Sequence, residues 1–218
     1  MKQIYLYLIT LLSCSHSPSQ KLSYTSSMFE TARLGIGKSH HQLASKDVSP
    51  HLVLLGPFEN FHGEVTIIDG KVFYSSVLQA QPLAQHPAEI KTVFNVRSEC
   101  QEWRPLNLTH AKDINDLEEQ LKSKDVYFFH LKTQIEKSTL HIVNGIDNSV
   151  MRPAKKMFHQ NNTSLELVGV YSQNHQRVFT HHDRFTHIHA IDLIGFTYHL
   201  DEATNIKVIS GRVCHVNF

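Results

Sequence analysis

From residue 51 onward, apolar positions fall into short runs separated by turn residues. Leu52-Val53-Leu54-Leu55 is continuously apolar and stops at Gly56-Pro57, which predicts a buried strand. Residues 64–68 read as a second strand. It ends at Asp69-Gly70, a pair that tolerates the left-handed backbone of a two-residue hairpin turn. Residues 71–77 return as a third strand, and 91–97 form a fourth. The period then changes. Ile114, Leu117 and Leu121 recur at helical spacing while Asp116, Glu118, Glu119 and Lys122 take the wet faces, predicting a helix over 113–122 with Asp113 in the capping position. Residues 126–131 and 139–143 read as strands. Residues 144–162 form a long polar connection in which Arg152, Lys155 and Lys156 are solvated loop charges. A second strand-rich half follows over 165–171, 184–191, 196–200, 206–210 and 212–216. The pattern predicts an α+β fold of mixed, mainly antiparallel β-sheets with few helices.

A length of 218 residues suits one globular domain, or two small halves sharing a core. The expected division is a tether over 15–50, carrying a short strand or helix near 28–34, then a domain over 51–218. Its N-terminal half covers about 51–145 and its metal-binding half about 163–218. Hydrophobic residues at 41% and charged ones at 19% are enough for a buried core. A net charge of +1 lacks the basic excess of a nucleic-acid binder.

The first fourteen residues change the picture of location. Met1-Lys2-Gln3 is a short positive start, and residues 4–12 are apolar but too few to span a bilayer. They end in Leu11-Leu12-Ser13-Cys14, which resembles a bacterial lipoprotein signal. The expectation is export to the periplasm or outer surface, with a lipid anchor on Cys14 as the membrane contact. A plain cleaved signal and a buried N-terminal strand are the competing readings. In an oxidising compartment Cys100 and Cys214 could pair, though their spacing does not decide it. The chain has no C-x-x-C, which removes a thiolate zinc site or redox motif.

Histidine carries the unusual chemistry. Of seventeen histidines, six fall at His175, His181, His182, His187, His189 and His199. His187-Ile188-His189 lies in an alternating strand, so both imidazoles face one way. Gly195 suits a turn that returns His199 on the next strand. Three neutral imidazoles leave a coordination position open, the mark of a catalytic metal. They suit zinc, iron, copper or nickel alike. His181 and His182 are adjacent and point opposite ways, so at most one could support the site. Exposed histidines on a hairpin face remain the competing reading.

Two separated blocks resemble the α-acetolactate decarboxylase family. One runs from Leu55-Gly56-Pro57-Phe58 through His62-Gly63-Glu64-Val65-Thr66-Ile67-Ile68-Asp69-Gly70. The other is Val168-Gly169-Val170-Tyr171 followed by His187, His189 and His199. The resemblance spans most of the chain from about residue 51. It implies zinc held by His187, His189 and His199, with Glu64 transferring a proton. The implied reaction is decarboxylation of 2-acetolactate, or a related small 2-hydroxy-3-keto acid, to acetoin and CO₂. A homodimer is compatible with it. The chain departs from the family in two places. His141 stands where the family's arginine meets the anionic substrate, and no acidic residue follows Glu202. The alternative is therefore an exported metal-binding lipoprotein of the same fold without decarboxylase activity.

Overall fold

The Asp69-Gly70 turn is where local sequence and tertiary structure agree most directly. Both residues take positive φ (52° and 69°), joining two antiparallel strands as the dipeptide predicts. The structure is a computed structural model and describes residues 20–34, 39, 41–76, 88–150 and 152–217. The signal segment and Cys14 lie outside the described residues.

In chain order the elements are β1 (Ser23–Thr25), α1 (Met28–Leu34), β2 (His41–Ala44), β3 (Leu52–Pro57), β4 (Glu64–Ile68) and β5 (Lys71–Ser75). Then come β6 (Glu89–Thr92), β7 (Asn95–Glu99), β8 (Arg104–Pro105), β9 (His110–Asp113) and α2 (Ile114–Leu121). The long strands β10 (Val126–Asp147) and β11 (Arg152–Tyr171), then β12 (Thr186–Ile191) and β13 (Thr197–Val216), complete the chain. The fold is built mostly of antiparallel sheet with two α-helices among the described residues.

One sheet has the order β1-β7-β3-β4-β5, and the second runs β10-β11-β12-β13-β8 with β10 also pairing β13. Successive residues of β3 serve opposite faces. Val53 and Leu55 pack against Phe128, Val168, Val170 and Val216 of the second sheet. Leu52 and Leu54 pack the other way, toward Ile90, where β2 and β6 form a small ribbon. The far side of the second sheet is closed by Ile114, Leu117 and Leu121 of α2. Asp113 caps that helix, accepting from the Asp116 N–H at 2.9 Å. Because the central part of the second sheet is covered on both faces, its strands read there as continuous apolar runs.

Four expectations are corrected. Residues 91–97 are not one strand. Val93 and Phe94 form a buried bend that sends β6 to the ribbon and β7 to the first sheet. Residues 144–162 are not a connection, so the halves 51–145 and 163–218 are not separated there. β10 continues to Asp147 and β11 starts at Arg152, paired from Tyr127↔Tyr171 out to Asp147↔Arg152. Over 152–164 the β11 arm of this hairpin is held by backbone hydrogen bonds and is largely exposed, which leaves no apolar period to read. Likewise 206–210 and 212–216 belong with 197–200 to the single strand β13. Finally, the short element expected near 28–34 is helix α1, but 20–34 packs on the domain rather than forming a free tether. Leu22 is buried, β1 pairs with β7, and α1 docks through Met28 N–H to the Val178 carbonyl (2.8 Å).

Cys100 and Cys214 are joined in a disulfide with Cα atoms 5.8 Å apart, tying the end of β7 to the last strand.

Candidate active site

The register of three strands assembles the site. His199 on β13 stands directly opposite His141 on β10 and opposite His189 on β12. Directly paired residues present their side chains to the same face. The sequence therefore places His141, His199 and His189 in one cross-strand row, and His187 joins it two residues along β12. The ring centroids lie 4.6 Å (His141–His199), 5.1 Å (His187–His199), 4.9 Å (His187–His189) and 6.0 Å (His189–His199) apart. His141, His187 and His189 are buried, and His199 nearly so.

The first sheet closes the site from the opposite side. Glu64 opens β4, whose five residues are all buried. It is aimed by Gly63, where φ is +146° and an added Cβ would lie 2.0 Å from the Ser75 carbonyl oxygen. Just before it, Asn60 and Phe61 both take positive φ (58° and 56°), an uncommon pair that brings Phe61 into the cavity wall. Glu64 Oε2 lies 3.7 Å from His189 Nε2, and its Oε1 accepts from the Val143 N–H at 3.3 Å. Burial pushes the Glu64 carboxyl up to about 8, with Val143 and the Lys155 charge offsetting only part.

His189 is fixed by a chain of hydroxyls between the sheets. Thr66 Oγ1 lies 2.8 Å from His189 Nδ1 and 2.6 Å from Thr197 Oγ1, and the Thr197 N–H donates to Ser75 Oγ at 2.7 Å. All three hydroxyl residues are buried. On the other flank, β13 carries a bulge. Thr139 pairs with Glu202 and Leu140 with Leu200, leaving Asp201 extra and turned onto His141. The His141 Nδ1 to Asp201 Oδ2 distance is 2.6 Å, and Lys155 Nζ lies 3.8 Å from Asp201 Oδ1.

The electrostatics favour neutral imidazoles. Burial, with the neighbouring His181 adding to it, lowers His187 to about 3. Burial and the surrounding imidazoles hold His189 and His199 well below the ordinary histidine value. Burial also lowers His141, against the pull of Asp201. For Asp201, burial works upward, but hydrogen bonding to His141 and His199 outweighs it and keeps the carboxylate ionised. A neutral imidazole offers one lone pair as a metal ligand. Three such rings each have a buried nitrogen without a hydrogen-bond partner: His187 Nδ1, His189 Nε2 and His199 Nδ1. Buried polar atoms are normally satisfied. The donor set therefore fits a soft-to-borderline divalent metal such as zinc. Two other groupings, His141 with His199 and Asp201, and His181 with His182 and Asp183 at the rim, bring their ligand atoms within 4.8 Å of one another, which His187, His189 and His199 do not.

These side chains open into a cavity of about 420 Å³, lined by His141, His187, His199 and Glu64 on its inner side, with Phe61, Phe94 and Val143 as apolar wall. All five residues singled out from the sequence (Glu64, His141, His187, His189 and His199) meet here. His175 stays apart, stacked on Phe179 with ring centroids 4.7 Å apart. Sequence reasoning missed Asp201, Thr66 and the rim cations Arg33, Arg152, Lys155 and Arg177. Only Asp201 left a signal, the i, i+2 spacing from His199. Arg152 and Lys155, expected in a solvated loop, lie instead on β11 beside the cavity.

No protein-family model matches the sequence, and no curated protein matches it. Solved structures do match the fold. The α-acetolactate decarboxylase of Bacillus subtilis strain 168 superposes with a TM-score of 0.70 at 13% identity, over 90% of this chain and 86% of that one. The acetolactate decarboxylase of Bacillus subtilis subspecies spizizenii gives 0.69 at 13% identity, over 90% and 87%. A Staphylococcus aureus protein of unknown function, similar to α-acetolactate decarboxylase, gives 0.69 at 11% identity, over 90% and 86%. The chain has an acetolactate-decarboxylase-like fold.

Proposed function

We propose that this protein is a metal-dependent carboxy-lyase acting on a small 2-hydroxy-3-keto acid, with 2-acetolactate as reference substrate and acetoin and CO₂ as products. The observation that carries the reading is the gathering of neutral imidazoles around a buried carboxyl, with His187, His199 and Glu64 lining one cavity and His189 behind them, 3.7 Å from Glu64. His187, His189 and His199 would hold a divalent metal such as zinc, which would supply Lewis-acid stabilisation of negative charge on a carbonyl oxygen. The protein's own residues do the rest. Phe61, Phe94 and Val143 keep water from the reacting carbon. Glu64, protonated into the neutral range, holds a proton at the cavity and delivers it to the carbon that loses CO₂. The Val143 N–H fixes one oxygen of that carboxyl, so the proton arrives from one side. His141, oriented by Asp201, is a neutral hydrogen-bonding group on the cavity wall.

The test is acetoin release from racemic acetolactate by the purified protein, before and after chelation, with zinc content measured in parallel. Activity that chelation abolishes and zinc restores supports the proposal; no chelator-sensitive release sinks it. His187→Ala and His199→Ala should each lose bound metal. A second reading, a metal-binding protein without turnover, is favoured by His141 occupying the place of the family's arginine. Stoichiometric zinc with no acetoin would establish it. We also propose export, with a lipid anchor on Cys14. The Cys100–Cys214 disulfide supports an oxidising compartment. A Cys14→Ala protein that stayed in the membrane fraction would exclude the anchor.

A further inference from the structure

We propose that Arg152, Arg177 and Lys155 form a second anion subsite at the cavity rim, so that the substrate is a 2-hydroxy-3-keto acid bearing two anionic groups rather than one. The inference rests on the histidine site being the reacting centre. Its basis is charge and shape. The cavity is lined by the cations Arg33, Arg152, Lys155 and Arg177 and by a single carboxylate residue, Glu64. Lys155 is shared with Asp201 at 3.8 Å. Arg33, Arg152 and Arg177 are in no ion pair among the described residues. An acid of acetolactate size has one carboxylate, which its reacting end would place at the histidines. It leaves the rim cations without a counter-charge. Pockets for drug-sized ligands begin at about 300 Å³. The cavity of about 420 Å³ is roomier than such a small acid needs.

Arg177 is exposed, but its backbone is fixed. Its φ is +68°, a conformation costly for a non-glycine residue. Two donors fix its carbonyl, Ser27 Oγ at 2.9 Å and the Phe29 N–H at 3.1 Å, and its own N–H donates to the Thr180 carbonyl at 3.1 Å. Its guanidinium lies over the Phe29 ring, 5.2 Å from the centroid. Helix α1 thus docks on the 174–180 loop and sets this arginine at the cavity. Lys155 is fixed differently: it pairs with Val143 across the hairpin, and Val143 is the residue that binds Glu64. The planar forks of Arg152 and Arg177 suit a carboxylate or phosphoryl group.

The experiment is calorimetric titration of the zinc-loaded full chain with three probes that cannot decarboxylate. These are 2-hydroxy-2-methylbutanoate with one carboxylate, 2-hydroxy-2-methylbutanedioate with two, and 2-hydroxy-2-methyl-4-phosphonobutanoate. The proposal expects at least one doubly anionic probe to bind roughly tenfold or more tighter than the monoanion. Which of the two wins identifies the second group as carboxylate or phosphoryl. In Arg152→Gln/Arg177→Asn the preference should collapse, the ratio of doubly anionic to monoanionic affinity falling to about one; asparagine tolerates the positive φ at 177. Equal binding of all three probes, or no binding of any, overturns the subsite. So does a preference that survives in the variant. Dianion preference without acetoin release would keep the subsite and remove the acetolactate reading. Acetoin release with equal probe binding would do the reverse.

Discussion

Thr66→Val tests whether His189 is oriented as a ligand. The substitution is nearly isosteric and the site is fully buried, so little changes except the hydroxyl. That hydroxyl serves two partners, His189 Nδ1 at 2.8 Å and Thr197 Oγ1 at 2.6 Å. A buried polar group left unsatisfied costs about 1–3 kcal/mol. With two groups stranded, the protein should lose about 2–4 kcal/mol of unfolding free energy. The effect on metal is separate. Removing the group that holds a ligating imidazole through its other nitrogen lowers metal affinity by about 10–100-fold. Thr197→Val is the control. It removes one of Thr66's partners but leaves the Thr66–His189 contact in place, so it should cost stability with little effect on zinc.

The assay is paired: urea unfolding in the presence of chelator for stability, and competition against a chromophoric zinc chelator for affinity. Both variants should be destabilised, and only Thr66→Val should shift the zinc curve by a decade or more. If the two variants shift zinc affinity equally, or neither does, the hydroxyl chain is structural and the reasoning about His189 is wrong.

Other outcomes follow from the same structure. The disulfide closes a sequence separation of 114 residues. Replacing both cysteines by serine should cost about 4–5 kcal/mol on loop-closure grounds, and reductant should lower the urea midpoint of the wild type but not of the variant. Gly63→Ala forces a methyl onto the Ser75 carbonyl at an unfavourable φ, so it should destabilise by more than about 3 kcal/mol and be detected as a lowered thermal midpoint. Burial and the Arg97 charge lower His41 below its ordinary 6.5, so the unfolded chain takes up its proton first as pH falls. The stability His41 contributes is present above about pH 6.5 and declines below it; His41→Gln should flatten the unfolding free energy between pH 7 and 5. Glu64→Gln should retain zinc by elemental analysis but lose roughly 100-fold or more in turnover, as expected for removal of a general acid.

The histidine site was legible because β-structure converts spacing into direction. His187 and His189 share a face by alternation alone, and Gly195 signalled the return that brings back His199. The Asp69-Gly70 turn and the 113–122 helix were equally local. What could not be read was pairing between distant strands. Nothing near His141 says that it will stand opposite His199, because that register belongs to the pairing of β10 with β13, strands far apart in the chain. For the same reason Arg152 and Lys155 looked like loop charges. Their strand is stabilised by backbone hydrogen bonds to β10, which leave no trace in side-chain period. Asp201 depends on a bulge, an insertion visible only once both strands are paired.

The two overlapping donor sets can be ranked by asking which nitrogens still lack a partner. His141 Nδ1 and Asp201 already satisfy one another at 2.6 Å, with Lys155 nearby balancing the carboxylate. A cation placed between them would break a charge-assisted hydrogen bond before making a new one. His187 Nδ1 and His189 Nε2 have no such bond to lose, and His199 Nδ1 has only the longer approach to Asp201 Oδ1 at 3.6 Å. His187 and His199 line the cavity and are open to what enters it, and Glu64 Oε2 lies 3.7 Å from His189 Nε2. On this ground His187, His189 and His199 rank first as the proposed metal ligands, with the His141–Asp201 pair as a support for the cavity wall. His141→Ala should then keep zinc that His187→Ala loses; loss of zinc from His141→Ala with retention in His187→Ala would reverse the assignment.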